Sequence, residues 1–176
     1  VFPVGRSETF VALDTEAISP ERLAELRALA GGVRADEGDI HALVSTDGDS
    51  DRPLVLGVEP GGEVIFFAGD LLGAVVADFL GADAVAIPIS SNDAIDRWFA
   101  SRSVIPSRTK IGSPYVVARM AELEGERIVG WEANGGFLTA TSISLGQGPL
   151  DPLPTRDAAL PRSEERRVGK ECPSPC

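Results

Sequence analysis

Cysteine is all but missing from this 176-residue chain. Both of its cysteines, Cys172 and Cys176, stand among the last five residues. Everything before them is without a disulfide framework or a thiolate site, and a reducing cytoplasm is the expected compartment. Histidine is limited to His41, which lies at the start of an expected strand with no metal-ligand partner and reads as structural. Long apolar runs are missing too. The longest, Leu71 to Leu80, is interrupted by Gly73 and Asp78, well short of the roughly 18 residues that a membrane-spanning helix needs. Positive charge is scarce: 16 basic residues stand against 27 acidic ones, for a net charge of −11 and a pI near 4.5. Such a balance argues against nucleic acid or an anionic membrane as the main partner.

What is present is globular in kind, with 43% hydrophobic and 24% charged residues, 19 Gly and 13 Pro. The length suits one domain or two small ones. The chain opens at Val1 with no initiator Met, signal or transit peptide, and Val1-Phe2-Pro3-Val4 reads as the end of a strand. A piece of something longer is therefore expected. At the other end, residues 162–172 read RSEERRVGKEC, which resembles the in-frame translation of a sequencing adapter. Residues 162–176 are accordingly expected to be a non-native tail that packs on nothing, since Val168 is their only aliphatic side chain. Without them the chain has 12 basic and 24 acidic residues, and Lys110 is its one lysine. Together with abundant Ala and Gly, that suggests a GC-rich bacterial genome.

The element signals alternate. Ser19-Pro20 supplies a cap and a first-turn proline, and Leu23, Leu26 and Ala30 form an apolar face, so a helix is expected as far as Gly31-Gly32. Ala42 to Ser45 reads as a short buried strand. Leu54 to Val58 and Val64 to Phe67 flank Pro60-Gly61-Gly62 as a hairpin. Leu71, Leu72, Val75, Val76, Phe79 and Leu80 have helical spacing closed by Gly81. Ala84 to Ile89 is a strand, Asn92 caps a helix through Phe99, and Val104-Ile105 reads as a further strand. Ser113-Pro114 opens a helix with Val116, Val117, Met120 and Leu123 on one face. Arg127 to Trp131 and Phe137 to Thr141 bracket a turn. This alternation predicts an α/β fold of two layered units with mixed, mostly parallel sheets, divided near the Pro60-Gly61-Gly62 turn into residues 1–60 and 61–161.

Chemistry concentrates in two places. Thr46-Asp47-Gly48-Asp49-Ser50-Asp51-Arg52 follows the strand at Ala42 to Ser45, so it is expected at that strand's carboxyl end, where ligands of open α/β sheets gather. Carboxylates at i, i+2 and i+4 can converge on one cation, and hard oxygen ligands favour Mg²⁺ or Ca²⁺. The alternative is an Asp-Gly turn that happens to be acidic. An EF-hand is excluded, because its sixth and twelfth positions would be Arg52 and Val58. Arg52 can pair with the acids or offer a fork to a phosphate. The second place is Gly130-Trp131-Glu132-Ala133-Asn134-Gly135-Gly136. There Glu132 and Asn134 share one side of an extended segment and can bond vicinal hydroxyls, while the glycines allow close approach to a ligand. Asn-Gly is also a strong hairpin-turn signal, so a plain turn is the competing reading.

The T-D-G-D-S-D-R string after a short strand resembles the metal loop of the α-D-phosphohexomutases, the family of phosphomannomutases and phosphoglucomutases. That resemblance implies Mg²⁺ on Asp47, Asp49 and Asp51, with Arg52 facing the transferred phosphoryl group. The Glu132 segment resembles the family's sugar loop, usually Gly-Glu-x-Ser-Gly. It implies substrate contacts from Glu132, Asn134 and Gly135, with Asn134 where Ser is commoner. Thr109-Lys110-Ile111-Gly112 resembles the family's Thr-x-x-Gly segment and makes Lys110 a candidate for substrate phosphate. Pro154 to Ala158 resembles the start of the last helix of the third domain, where Asp157 reads as a helix N-terminal charge.

By this likeness residues 1–60 are the later part of domain 2 and residues 61–161 most of domain 3. The phosphoserine loop of domain 1 and the phosphate-binding domain 4 are not in this sequence, and they are the expected partners, with a hexose phosphate as substrate. The implied activity interconverts hexose 6-phosphate and hexose 1-phosphate through a phosphoserine and a bisphosphate intermediate. Mannose phosphate is the leading substrate, then glucose phosphate, and glucosamine phosphate comes last. This chain alone is expected to be inactive. The rival is a non-catalytic metal- or sugar-phosphate-binding domain, which a start codon near Val1 in the genomic sequence would favour.

Overall fold

The structure is a computed structural model in which residues 3–4, 14–145 and 148–163 are described. The expected non-native tail falls, from residue 164 on, outside the described residues. Among the described residues, no helix is long and apolar enough to cross a membrane.

The first unit is a helix on an antiparallel sheet. Helix α1 spans Pro20–Glu37, and Ser19 caps it by accepting the Arg22 N–H at 3.2 Å. Strands β1 (Ala42–Thr46), β2 (Pro53–Val58) and β3 (Val64–Phe67) follow as consecutive hairpins. Leu23, Leu26 and Ala30 of α1 pack on Leu43, Leu54, Leu56, Val58 and Val64, which is the face that their spacing predicts. The helix does not stop at Gly31-Gly32. It ends at Gly38, where φ is +86° and the N–H closes back onto the Arg34 carbonyl at 3.1 Å. A glycine inside a helix is only unfavourable, whereas a positive φ with an extended ψ, as at Gly38, is open to glycine almost alone. Strand β1 is also less buried than expected, since only Leu43 is fully covered.

The second unit is built on five strands in the order β10-β7-β6-β4-β5. Strand β4 is Ala84–Pro88, β5 is Ser107–Thr109, β6 is Ile128–Trp131, β7 is Phe137–Thr139 and β10 is Leu153–Asp157. A small ribbon of β8 (Ile143–Leu145) and β9 (Gly148–Leu150) lies outside that sheet. Pairings β4–β5 and β4–β6 are parallel, while β6–β7 and β7–β10 are antiparallel. The sheet is thus partly parallel, not mostly so. The chain returns from β6 to β7 through a tight turn, which can only join antiparallel neighbours.

Alternation along these strands makes two apolar faces. Val85, Ile87, Val129, Trp131 and Phe137 join helices α2 (Gly69–Phe79) and α3 (Ala94–Ala100) in one core. Ala84, Ala86, Ile128 and Leu138 receive Val116 and Met120 of α4 (Ser113–Met120) on the other. The small residues set the second spacing: a Cβ at Gly130 would stand 2.6 Å from Val116 Cγ1 and 2.8 Å from Met120 Sδ. Trp131 is wholly buried between Phe99, at 6.2 Å, and Phe137, stacked at 6.1 Å. Burying each such ring contributes about 1.5–3 kcal/mol.

Two further expectations shift. Val104-Ile105 is not a strand: Val104 is buried in the core with Phe99 and Trp131, Ile105 is 89% exposed, and the edge strand β5 forms at Ser107–Thr109 instead. The Pro60-Gly61-Gly62 turn does not divide two sheets. It joins β2 to β3 within one, so the change of sheet comes after Phe67. The last helix, α5 (Ala159–Ser163), starts after Asp157, whose carboxylate accepts the Ala159 N–H at 2.7 Å and the Leu160 N–H at 3.3 Å. It runs two residues into the stretch expected to be non-native.

Candidate functional site

The acidic loop is the tip of the β1–β2 hairpin, beyond the Thr46–Pro53 pair. It therefore caps an antiparallel sheet, not the carboxyl edge of a parallel one as the sequence suggested. The Asp47 N–H donates to the Arg52 carbonyl at 3.2 Å, and the Arg52 N–H donates back to Asp47 Oδ1 at 3.2 Å. Ser50, at φ +63°, donates its N–H to the Asp47 carbonyl at 3.2 Å. This folding brings one carboxylate oxygen each of Asp47, Asp49 and Asp51 within 4.8 Å of one another.

Three like charges at that range repel, each pair by about 1–4 kcal/mol depending on the effective dielectric. The Asp51 carboxyl records the strain. Burial first, then Asp49 and Asp47, push it above the ordinary carboxylate range, although Arg156 and Arg52 pull the other way. Asp51 Oδ1 is buried without a hydrogen-bond partner among the described residues. An oxygen-only donor set with mutual repulsion and an unsatisfied buried oxygen fits a hard divalent cation. Arg52 lies along the acids, with Nε 3.6 Å from Asp47 Oδ2 and 3.8 Å from Asp51 Oδ1, and with Nη1 3.7 Å from Glu16.

The Glu132 segment, between β6 and β7, is a turn and not an extended stretch. The Gly135 N–H donates to the Glu132 carbonyl at 2.8 Å, and the Glu132 N–H to the Gly136 carbonyl at 3.1 Å. Asn134 Oδ1 is occupied by the Gly136 N–H at 3.0 Å, which leaves its amide N–H₂ as the polar end without a partner among the described residues. Glu132 and Asn134 are each only 7% exposed. Gly135 adopts φ +89°, and a Cβ there would stand 2.9 Å from Pro53 Cγ. This turn thus rests on the first residue of β2, directly behind the acidic loop.

A residue to which the sequence reading gave no role joins the two loops. Arg156 of β10 places Nη2 2.5 Å from Asp51 Oδ2 and Nη1 3.7 Å from Glu132 Oε2. A Cβ at Gly136 would meet its Cγ and Cδ at 2.9 Å. That glycine was the available clue. An Asn-Gly turn explains Gly135 but not a second glycine, which marks a bulky neighbour. Lys110 stands apart from these contacts, exposed in the loop after β5, with its ammonium 5.6 Å from the centre of the Tyr115 ring. β5 and β6 flank β4, so Lys110 and Glu132 follow the carboxyl ends of strands separated laterally by about 10 Å.

Comparison with known proteins agrees with this architecture. Residues 68–160 match the family described as phosphoglucomutase/phosphomannomutase, alpha/beta/alpha domain III. The chain is 42% identical to a phosphomannomutase of Sinorhizobium fredii, over 99% of its own length and 35% of that protein. It is 44% identical to a phosphomannomutase of Salmonella muenchen, over 92% of this chain and 32% of that one. A phosphoglucosamine mutase of Sinorhizobium medicae is 34% identical, over 98% and 36% respectively. The chain thus spans about a third of the length of the curated relatives it matches. Its fold resembles that of a phosphoglucomutase/phosphomannomutase family protein from Burkholderia thailandensis, with a TM-score of 0.58 at 17% identity over 84% of this chain and 29% of that one. Since the match to domain III takes in just over half of the residues, from the start of α2 to α5, the chain belongs to the phosphoglucomutase/phosphomannomutase family.

Proposed function

We propose that this chain is part of a Mg²⁺-dependent, cytoplasmic phosphohexomutase that interconverts hexose 6-phosphate and hexose 1-phosphate, with mannose phosphate the leading substrate. Residues up to Phe67 are the later part of its second domain and residues 68–161 are its third. A first domain with the phosphoserine and a fourth that binds phosphate complete the enzyme. The observation that carries this reading is the meeting of the acidic loop and the Glu132 turn on one guanidinium, that of Arg156.

Asp47, Asp49 and Asp51 hold the cation, whose charge offsets that of a phosphoryl group in transfer. Arg52, at the rim of the same loop, turns its fork to that group, and Lys110 meets the substrate's own phosphate. Glu132 accepts hydrogen bonds from sugar hydroxyls, the free amide of Asn134 donates to them, and Gly135 lets the backbone come close. An acceptor and a donor two residues apart in one rigid turn read the orientation of neighbouring hydroxyls. The curated relatives named phosphomannomutase at 42% and 44% identity support mannose phosphate over the glucosamine phosphate of the 34% relative.

Calorimetry with mannose 1-phosphate tests the sugar site. Glu132→Gln removes charge but not shape, and binding to the chain is expected to weaken by about tenfold, as loss of a charged hydrogen bond implies. Equal binding by variant and parent refutes the assignment of Glu132. Mutase turnover by this chain alone refutes the placement of the phosphoserine in another domain.

A further inference from the structure

The pairing of β10 becomes irregular toward its end. Its register with β7 runs from Leu153–Thr139 to Asp157–Phe137, four steps on one strand against two on the other. Such bulges re-aim side chains and gather beside active sites. Here the bulged stretch carries Arg156, whose stem is threaded over Gly136 and whose side chain is 27% exposed between two carboxylates. Asp51 Oδ2 takes Nη2 at 2.5 Å, while Glu132 Oε2 waits at 3.7 Å from Nη1, buried and without a hydrogen-bond partner among the described residues. The guanidinium is shared unequally.

We propose that Arg156 is a positioning residue that couples the two loops: it is one counter-ion divided between Asp51 and Glu132, so that a metal ion at the acidic loop releases it toward Glu132. This rests on the metal-loop reading above. With no cation, Asp51 holds the guanidinium and competes for it with Glu132. A divalent ion satisfies Asp51 in its place, and the weakened pair lets Arg156 close on the orphaned Glu132 oxygen. Only a planar fork serves two acids arriving from different directions, and a lysine ammonium is a single point charge. The consequence runs both ways, because linkage is reciprocal. Whatever removes the pull of Glu132 gives Arg156 wholly to Asp51 and raises its competition with the metal.

The test is a double-mutant cycle on metal affinity in the 176-residue chain, with manganese(II) as a hard-oxygen probe read by loss of its free-ion paramagnetic resonance signal. Glu132→Gln is expected to weaken manganese binding about threefold when Arg156 is present, and by less than about 1.5-fold in an Arg156→Met or Arg156→Lys background, a coupling of the size seen between groups in contact. Arg156→Lys keeps the stem over Gly136, so the cycle stands even if the methionine variant fails to fold. An equal effect of Glu132→Gln in all three backgrounds, or no effect with Arg156 present, overturns the proposal and leaves the metal loop intact. Asp49→Asn separates the two readings: manganese binding that this substitution does not reduce overturns the metal loop itself, and the coupling with it.

Discussion

Gly69 and Gly135 touch backbone to backbone. A Cβ on Gly69 would overlap the Gly135 nitrogen, the Ala133 carbonyl oxygen and the Asn134 carbonyl carbon, and a Cβ on Gly135 would stand 3.1 Å from the Gly69 Cα. The first turn of α2 is thereby pressed against the Glu132 turn, with Pro53 on its other side. None of these partners is the tip of a flexible side chain, so no small adjustment admits a methyl group. Gly69→Ala should destabilise the chain by about 1–3 kcal/mol or more, as overpacking does. Thermal unfolding followed by circular dichroism checks this, and an unchanged melting temperature would contradict the contact.

The glycines of α1 make opposite forecasts. Gly31 lies inside the helix, and a Cβ there would have nothing within 4 Å, so Gly31→Ala should stabilise by about 0.5–1 kcal/mol through propensity alone. Gly38 has equal space but sits at φ +86° and ψ −159°, a region that is essentially glycine's alone, so Gly38→Ala should destabilise by about 1–3 kcal/mol. Denaturant titration of the two variants, compared with the parent, measures both signs.

Asp49 is the exposed member of the acidic triplet, and Asp49→Asn should leave the fold alone. It removes one charge and one anionic ligand from the cluster. Manganese or magnesium affinity should fall by about tenfold, the size of one screened charge interaction. Metal titration monitored by calorimetry reads the change.

Asp51 predicts a dependence on pH. Its carboxyl is held above the ordinary range in the folded chain by burial and by Asp49 and Asp47. Between the ordinary value and the raised one, the folded state keeps a proton that the unfolded state has lost. Stability from this group is therefore full at low pH and is lost as pH rises through the folded value. Asp51→Asn stays neutral and avoids that loss. Without metal it should be more stable than the parent at pH 7, with the gap closing below the carboxylate range. Saturating manganese should reverse the order, since the cation stabilises only the form that binds it.

The parts of this site that were legible in the sequence are those fixed by neighbours along the chain. Three acids at alternate positions converge through the geometry of one hairpin loop. Gly81 closes α2 because helical spacing and a left-handed residue coincide there. The two faces of the five-stranded sheet follow from alternation in Ala84–Pro88 and Ile128–Trp131. Arg156 was illegible because its meaning depends on Asp51 and Glu132, which arrive from other strands. Likewise Gly31 and Gly38 differ only in a backbone angle, which composition cannot show, and Val104-Ile105 has strand propensity without a strand to pair with. The turn at Glu132 was legible as well, since Asn134 Oδ1 accepts the Gly136 N–H and Gly135 takes a positive φ, the two marks of the Asn-Gly signal; the extended reading gave them too little weight.

The chain's two tryptophans occupy opposite optical environments. Trp98 is 37% exposed, with the Arg102 guanidinium 5.5 Å from the centre of its ring, while Trp131 is wholly sealed between Phe99 and Phe137. A water-borne quencher such as iodide reaches the first and not the second. What then remains of the emission comes from an indole one residue from Glu132, so the protein carries a built-in fluorophore beside that turn, and a change in the surroundings of the turn can be followed without a label.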